Sequence, residues 1–384
     1  MNSYGILLLA FLLFYTPLRS QETEKNKAKT IELGLSYFSE SFSNLKGGAQ
    51  TGTNYKGYLD FSGEFDLEKL VGFKRTSIFF NTIHVHGQSI SDLIGDDLLS
   101  SNIEALAGFR MQNLYLQHQS KNEKLVLRFG KQAIDDEFLT TDISNLFVHG
   151  VAAYPFTLSN NYPQWPVAAM SVFASYQLNG LWKVRTGIYQ AGPEIIDEII
   201  NSTGLDFSLT PTGYLFIAEG NYAKNNHFLR FGVMHDTNSY FSNTGEEKNG
   251  LTSLYFSLDT KLFKNPNATE KGMFLFASAS TATNWSYAQF DYDLRGGISW
   301  RHFVKKQNGE LGLGYFYPHL GEGAQPGAQQ SLKTEQFLEL TYLVTLKEWW
   351  QLQVSLQQII NPGGASLSNL PDASVLGLRT YFTL

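Results

Sequence analysis

Apolar and polar side chains alternate one by one along much of this chain, in stretches of about ten residues that recur from residue 57 to the last residue. Residues 351–358 show the pattern clearly, because leucine and valine take one set of alternate positions while glutamine and serine take the other. A β-strand repeats every two residues, so a strand of this kind has one apolar and one polar face. Nearly every strand of the chain therefore needs an apolar environment on one side.

A closed sheet with lipid outside and water inside satisfies all of these strands together. The sequence offers no amphipathic helices that could form a partner layer, and closure leaves no unpaired sheet edge in a bilayer. Mean hydropathy is -0.19, and no apolar run after the N-terminus reaches the length of about 18 residues that a helical span requires. We therefore predict an all-β fold, a transmembrane antiparallel β-barrel of about 16 strands.

Composition supports this fold and removes several functions. The 20 tyrosines, 29 phenylalanines and 34 glycines suit a barrel wall with aromatic girdles at both membrane interfaces. The net charge of -6 lacks the basic footprint of nucleic-acid binding, so DNA and RNA are excluded as partners. The chain has no cysteine, which excludes disulfides and thiolate chemistry.

The N-terminus resembles a secretory signal peptide. Residues 6–15 are apolar, too short to span a bilayer, and are followed by Pro17 and the small Ser20. We predict a signal peptide at residues 1–20, a flexible polar segment at 21–30 and the barrel at 31–384. Export of this kind places the barrel in the outer membrane of a Gram-negative bacterium, where outer-membrane lipids and the barrel assembly machinery are expected partners.

Alternating segments give about 16 predicted strands, an even number as bacterial single-chain barrels require. They lie near residues 31–38, 57–67, 75–86, 109–119, 124–131, 168–178, 181–190, 213–223, 226–234, 251–262, 272–281, 294–304, 309–317, 334–345, 349–360 and 373–384. Tight turns alternate along the chain with longer loops, predicted at 191–212, 235–250, 282–293 and 318–333. This rhythm is typical of short periplasmic turns and long outer loops.

Two segments interrupt the strand pattern. Residues 90–107 are expected to be partly helical, with Ser100 or Ser101 as N-cap and Glu104 at capping-box spacing from Ser101. Residues 132–167 form the longest stretch without alternation. Long loops in compact proteins are usually functional or disordered, and the aromatic content of this one argues against disorder. We predict that it folds inward and narrows the pore.

The polar face of the strands provides a candidate pore lining. Its members are Asp60, Glu64, Asp66, Arg128, Lys131, Lys183, Arg185, Tyr189, Arg230, Asp259, Lys261, Glu339, Gln351, Gln353, Gln357 and Arg379. The opposite face should meet lipid, with Leu59, Phe61, Phe65, Trp182, Val184, Ile188, Leu376, Leu378 and Phe382. Metal, cofactor and catalytic residues are not predicted.

Several collinear stretches resemble the carbohydrate-selective porins of the OprB family. The similar stretches are Asp60–Gly72, Ile94–Gln119, Leu127–Phe138, Tyr162–Ala169, Gly213–Tyr222 around Glu219, Gln358–Gly364 and Val375–Phe382. The resemblance implies a 16-stranded outer-membrane barrel through which sugars diffuse down their gradient. The chain departs from the usual pattern by ending in Leu384 instead of an aromatic residue. Homo-oligomers are compatible with such a barrel.

Sugar selectivity requires hydrogen-bonding groups and an aromatic face, because sugars are neutral and carry many hydroxyls. The predicted sugar-binding constriction consists of Glu64, Arg128, Arg185, Glu219, Arg230, Glu339 and Arg379, with Tyr154, Trp165 or Tyr189 as the aromatic face. The structural alternative is that these charges pair with each other and only keep the pore hydrated.

Other polar clusters favour structural interpretations. Asp135, Asp136 and Glu137 lie in the predicted constriction loop, and their spacing is not that of an EF-hand. We expect a solvated or arginine-paired acidic turn there, with calcium binding as the alternative. His84 and His86 share one strand face without an identifiable third ligand, so we interpret them as girdle or surface residues.

Two rival functions remain open from the sequence. An outer-membrane barrel hydrolase would need a serine, a histidine and an acid brought together on the outer face of a strand, and His118, His149 and His227 have no indicated partner. A soluble secreted sugar-binding β-protein would dissolve without detergent, whereas a barrel should fractionate with the outer membrane. Motifs such as G-x-S-x-G and H-E-x-x-H are missing from the sequence.

Overall fold

Sixteen β-strands form almost all of the regular structure. The computed structural model describes residues 30–139, 141–152, 157, 163–192, 203–205, 207, 211–262, 271–304, 308–321, 323, 333–366 and 369–384. The strands are β1 Ile31–Lys46, β2 Gly52–Asp66, β3 Thr76–Gly87, β4 Gly108–Gln119, β5 Leu125–Gln132, β6 Ala169–Gln177, β7 Trp182–Ala191, β8 Gly213–Lys224, β9 His227–Phe241, β10 Glu247–Lys261, β11 Gly272–Ala282, β12 Phe290–Arg301, β13 Gly309–Leu320, β14 Gln336–Lys347, β15 Trp350–Ile360 and β16 Ala373–Thr383.

The sheet closes on itself. Each strand pairs with its neighbours in sequence, and β1 pairs antiparallel with β16, so that Glu40 lies opposite Arg379. The predicted transmembrane antiparallel barrel of 16 strands is therefore confirmed. Closure satisfies the backbone of every strand, including the first and the last, which is the condition for crossing a bilayer with strands.

The outer wall carries the apolar half of the alternation. Leu313, Leu340, Leu356 and Leu376 are register neighbours on β13 to β16 and form an outward row of leucines. Below this row the rings of Trp349, Trp350 and Phe382 stack at the short-turn end, with centroids 6.2 to 6.3 Å apart. This arrangement matches an apolar band that ends in an aromatic girdle at the membrane interface.

Short and long connections segregate to opposite ends of the barrel. The turns at 120–124, 178–181, 225–226 and 348–349 lie at one end, with residues 67–75, and the connections at 88–107, 133–168 and 321–335 lie at the other. The predicted loop 235–250 is wrong, because β9 and β10 extend through most of it and leave residues 242–246 as the connection. In this part of β9 the outward Thr237 and Ser239 are as polar as the inward Asp236 and Asn238, so the alternation of polarity disappears while the backbone pairing continues.

Helix is limited to short pieces. Helix α1 (Leu67–Val71) begins with Asp66 as N-cap, whose carboxylate accepts the backbone N–H of Glu68 and Lys69. Helix α2 (Ser91–Ile94) is the helical part of residues 90–107, which were expected to be partly helical, but no helix begins at the expected N-cap Ser100 or Ser101. The hydroxyl of Ser101 instead donates to the Glu40 carboxylate on the wall. Among the described residues no helix has the length and apolar character needed to span a bilayer.

Candidate functional site

The described residues between 133 and 168 lie inside the barrel. Ile134 and Phe138 belong to an apolar cluster with the inward side chains of β6 to β10, such as Phe173 and Tyr189. Residues 143–151 instead contact the opposite wall, where Phe147 lies 5.5 and 5.4 Å from the rings of Phe276 and Phe316. The loop is thus anchored on both walls and spans the lumen between them, which confirms the predicted inward constriction loop.

Glu339 fixes the middle of this loop. Its carboxylate on β14 accepts the backbone N–H of Val148 at 2.9 and 3.1 Å and that of His149 at 3.1 Å, and it also accepts the Ser355 hydroxyl at 2.9 Å. Gln353 on β15 donates to the Leu146 carbonyl at 2.6 Å. Both predicted lumen residues face inward, and both hold the loop in place.

Arg379 and Glu40 hold the other inward segment, residues 88–107. The guanidinium of Arg379 donates to the Glu40 carboxylate, to Asn102 Oδ1 at 2.7 Å and to Ser101 Oγ at 2.8 Å. Lys56 on β2 donates to the Ala105 carbonyl at 3.0 Å. Polar side chains of the wall therefore form hydrogen bonds with polar groups of a segment that has few backbone hydrogen bonds of its own.

Arginines alternate with acids around the wall from β5 to β10. Arg128 lies on β5, Arg185 on β7 and Arg230 on β9, while Glu219 on β8 and Asp259 on β10 lie between or beside them. Each of these side chains occupies an inward position of its strand. Alternate strands thus contribute one cation each, at positions where the constriction loop passes.

The constriction loop supplies acids to this array. Glu137 Oε1 lies 2.7 Å from Arg128 Nη1, and Glu137 Oε2 lies 3.8 Å from Arg185 Nη1. Arg185 Nη1 is also 3.8 Å from Glu219 Oε1. Glu137 therefore joins two wall arginines, and the pairing ties the loop to the wall by charge as well as by apolar packing.

Arg230 completes the array further round the wall. Its guanidinium lies 3.6 Å from Asp259 Oδ2 and 3.9 Å from Asp142 Oδ1 of the loop. Neighbouring groups orient Glu219, because Tyr255 donates its hydroxyl to Oε2 at 2.7 Å and Asn221 donates to Oε1 at 2.8 Å. The acids of this array therefore have fixed orientations.

Solvent exposure separates this array from the loop anchors. The side chains of Arg128, Arg185 and Glu137 remain 16 to 21% exposed, and that of Asp142 remains 85% exposed. Those of Arg379 and Glu40 are only 3% exposed. Solutes in the lumen can therefore reach the first set, whereas the second set lies inside packed protein.

Aromatic rings flank the exposed cations. The Arg128 guanidinium lies 4.8 Å from the ring centroid of Tyr115 and 5.2 Å from that of Phe173. Its Nε also donates to Gln117 Oε1 at 2.7 Å. The side chain is thus held in one orientation by stacking and hydrogen bonding.

The acidic turn at 135–137 divides into two roles. Asp135 accepts the backbone N–H of Trp165 at 3.1 Å, and Asp136 accepts Asn113 Nδ2 at 2.8 Å. Burial raises the pKa of Asp135 to about 6. Burial, together with the neighbouring Asp135, raises the pKa of Asp136 to about 7. Only Glu137 is paired with arginine, so the first two carboxyls organise the loop and the third faces the lumen.

The remaining predicted lining residues lie apart from this array. Glu64 faces inward on β2 opposite Phe79, and Asp66 caps α1 at the short-turn end, where it pairs with Lys69 at 3.1 Å. The side chains of Lys131 and Tyr189 are almost completely buried. Trp165 lies in the loop with its ring 5.6 Å from that of Tyr58. Tyr154 lies outside the described residues.

Sequence reasoning missed several groups that complete the interior. Glu40 and Asp142 are the acidic partners of Arg379 and Arg230. Arg295 on β12 pairs with Asp293 at 2.8 Å and donates to the Ala152 carbonyl of the loop at 3.3 Å. Strict alternation along β1 and β12 would have found Glu40 and Arg295, but loop residues such as Asp142 carry no periodic signal.

A metal centre is not indicated. Across the part of the chain that the structure describes, no three histidine or acidic side chains are grouped so that they could hold a metal ion. His84 and His86 lie side by side on the outer face of β3 with ring centroids 5.6 Å apart, and Tyr37 bonds His86 at 3.2 Å.

A closed barrel with an apolar outer wall, a charged interior and loops folded into its lumen defines an outer-membrane porin. The chain matches the model of the carbohydrate-selective porin, OprB family, over residues 50–384, and it belongs to that family. The barrel accordingly resides in the outer membrane of a Gram-negative bacterium.

Individual relatives agree with this placement. Porin B of Pseudomonas aeruginosa is 22% identical over 398 residues, covering 91% of this chain and 87% of the relative. The high-pH structure of Pseudomonas putida OprB superposes with a TM-score of 0.81 at 16% identity, covering 92% and 94% of the two chains. Salmonella typhi OmpF, solved with daunomycin, has a TM-score of 0.59 at 7% identity and shares the fold. Family membership supports neither the barrel hydrolase nor the soluble sugar-binding protein.

Proposed function

We propose that this carbohydrate-selective porin passes sugars at the constriction where Glu137 of the inward loop meets Arg128 and Arg185 of the wall. The observation that carries the proposal is that these three paired side chains stay partly exposed, whereas the Glu339 carboxylate that anchors the same loop is buried. A solute that follows the lumen past the loop therefore encounters charged groups that it can reach.

The chemistry of the three residues suits a neutral polyol. Guanidinium groups donate hydrogen bonds and carboxylates accept them, so one site can donate to the oxygens of sugar hydroxyls and accept from their O–H groups. Because Glu137 and Glu219 together balance the charges of Arg128 and Arg185, the site favours hydroxyls over a net charge. Trp165 and Tyr115 provide aromatic faces nearby, and a face of this kind can pack against the C–H surface of a sugar ring. The passage is passive, since concentration gradients suffice for a channel.

Block of ion conductance by sugar tests this assignment. We expect glucose to reduce the current through the reconstituted wild-type channel, and Arg185→Ala or Arg128→Ala to weaken the block several-fold because hydrogen-bond donors are lost. The matched control is Arg301→Ala. Arg301 pairs with Glu310 at 3.1 Å near the short turns, away from the constriction loop. Unchanged glucose block in Arg185→Ala would remove that residue from the sugar site.

We infer further that the chain is exported by residues 1–20 as a signal peptide and folded by the barrel assembly machinery. Support comes from the apolar segment at residues 6–15 and from the outer-membrane location of the family. Mass spectrometry of the outer-membrane form should give a mature chain that starts near Gln21. An intact N-terminus at Met1 would contradict the export signal.

A further inference from the structure

The outer wall has a groove near its short-turn end that the channel function does not use. It has a volume of roughly 720 Å³ and an almost entirely apolar lining, and it lies across β6 to β10. Volumes of this size are typical of ligand sites. The exposed lining side chains, such as Val184, Phe231 and Leu254, face outward, so any occupant comes from the bilayer side of the wall; the inward residues Arg185, Glu219, Gly232 and Tyr255 also border the groove.

The groove exists because small residues fall in register across three strands. Ala174, Thr186 and Ala218 are consecutive outward neighbours on β6, β7 and β8. The next row towards the short turns contains Gly220, which lies between Val184 and Phe231. On β13 to β16 the equivalent row is leucine at every position, so the wall there is even.

Large side chains border this depression. Trp182 and Tyr222 are register neighbours whose ring centroids are 4.9 Å apart, and Phe231 packs against Trp182 at 6.0 Å. They lie at the ends of their strands nearest the short turns. Leu254 and Tyr176 complete the walls on the outer strands. Aromatic residues at such a level belong to the girdle between hydrocarbon and headgroups.

A cation follows the groove at the membrane interface. Outward positions on β8 run from Ala218 and Gly220 through Tyr222 to Lys224, the last residue of the strand. The exposed Lys224 thus stands where the phosphates of the periplasmic leaflet lie, one alternate position beyond the aromatic border. The groove, the border and the cation follow the order of acyl chain, glycerol region and phosphate in a phospholipid.

We propose that this groove binds one phospholipid of the periplasmic leaflet, with an acyl chain over Thr186 and Ala218 and its phosphate at Lys224. An acyl chain in the groove buries more apolar surface than it would against a flat wall, where lipids exchange freely. The groove opens on the outer side of the wall and the sugar constriction on the inner side, so β7 and β8, whose residues Arg185 and Glu219 border both, separate the two sites.

Native mass spectrometry of the folded, full-length chain tests the site with phosphatidylethanolamine as the probe. We expect the wild type to retain one lipid after the others are removed. Ala218→Phe and Ala174→Leu fill the floor and should weaken retention about tenfold, and Lys224→Ala should weaken it by a smaller factor. Heat-modifiable gel mobility verifies that each variant is folded.

The matched control is Ala279→Phe. Ala279 faces outward on β11 between Phe256 and Leu294 and is not part of the groove lining, so retention should equal that of the wild type. Equal retention by wild type and both filled variants would overturn the proposal. Purified lipopolysaccharide provides a second arm, and retention of that lipid in place of phosphatidylethanolamine in an Ala218-dependent way would overturn the choice of leaflet.

Discussion

Arg379 and Glu40 are opposite one another at the seam where the last strand meets the first, and they form an ion pair of 2.7 Å with both side chains 3% exposed. The same guanidinium bonds Ser101 and Asn102 of an inward segment. One arginine therefore connects closure of the barrel with the position of a loop inside it.

Breaking this pair should destabilise both features. Arg379→Met leaves Glu40 buried without its cation, and removing one partner of a buried pair typically costs about 3 to 5 kcal/mol. We expect a lower urea midpoint for unfolding from lipid vesicles. Faster hydrogen exchange should accompany it in residues 96–104, because their wall partner is gone.

The double variant Glu40→Gln/Arg379→Met distinguishes the pair from simple loss of packing. Removing both charges should recover part of the stability, since an uncompensated buried charge no longer remains. Additive losses in the two single variants would show that the ion pair itself contributes nothing.

Glu339 offers a way to loosen the constriction without touching the exposed array. Glu339→Ala removes the acceptor of the Val148 and His149 N–H groups, and an unsatisfied buried donor costs about 1 to 3 kcal/mol. We expect larger single-channel conductance and faster entry of disaccharides, because residues 146–149 are less firmly held.

Glu310→Ala is the control, since it also deletes an inward carboxylate. Glu310 bonds Arg301 and Ser299 near the short turns. Its loss should leave conductance close to that of the wild type. An equal effect of both substitutions would show that net charge, and not loop anchoring, determines the conductance.

The membrane-embedded part of this fold follows from the sequence. The strand number and the outward stripes on β2, β7 and β16 were predicted because hydrocarbon and water impose opposite demands on successive residues. The prediction failed at 235–250, where outward and inward residues are both mostly polar, so a strand no longer differs from a loop in polarity. Residues 90–107 are partly helical as expected, but the helix does not begin at Ser101, because wall groups that local sequence does not reveal satisfy that part of the segment.

The site was predictable to a smaller extent. Inward residues such as Arg128, Arg185 and Arg230 could be named, because the alternation of side chains along a strand is enough to assign them to the inner face. The alternation along a strand does not tell whether an inward side chain meets water or a loop. Glu339, Gln353 and Arg379 were therefore grouped with residues that solutes can reach. That distinction depends on where residues 133–168 pack, which is determined by contacts far apart in the sequence.

The buried acids of the constriction loop predict a pH dependence. The pKa of Asp135 is raised to about 6 and that of Asp136 to about 7, so the docked loop binds protons more tightly than a released one. Docking is then most favourable below the ordinary aspartate pKa of about 4, and this contribution is lost as pH rises through 6 to 7. Hydrogen exchange corrected for intrinsic rates should show stronger protection of residues 134–139 at pH about 5 than at pH about 8.

Asp136→Asn should flatten this dependence, because an amide occupies the same space without a charge to bury. Asp142→Asn is the control, since that side chain is 85% exposed and should leave the pH profile unchanged. Protection that rises with pH in the wild type would reverse the expected sign and contradict the argument.

A charge placed on the outer wall should destabilise the barrel more strongly the closer it lies to the bilayer midplane. Leu356 faces outward within the leucine row, and Gln358 is the next outward residue on the same strand towards the long loops. Arginine at the bilayer midplane of a barrel costs about 2 to 4 kcal/mol, and the cost falls to about 0 to 1 near an interface. We therefore expect Leu356→Arg to lower the free energy of unfolding from vesicles much more than Gln358→Arg.

Ser355→Arg, which points inward beside Glu339, should instead alter conductance. Equal losses of stability for Leu356→Arg and Gln358→Arg would contradict an outward stripe that is immersed in lipid.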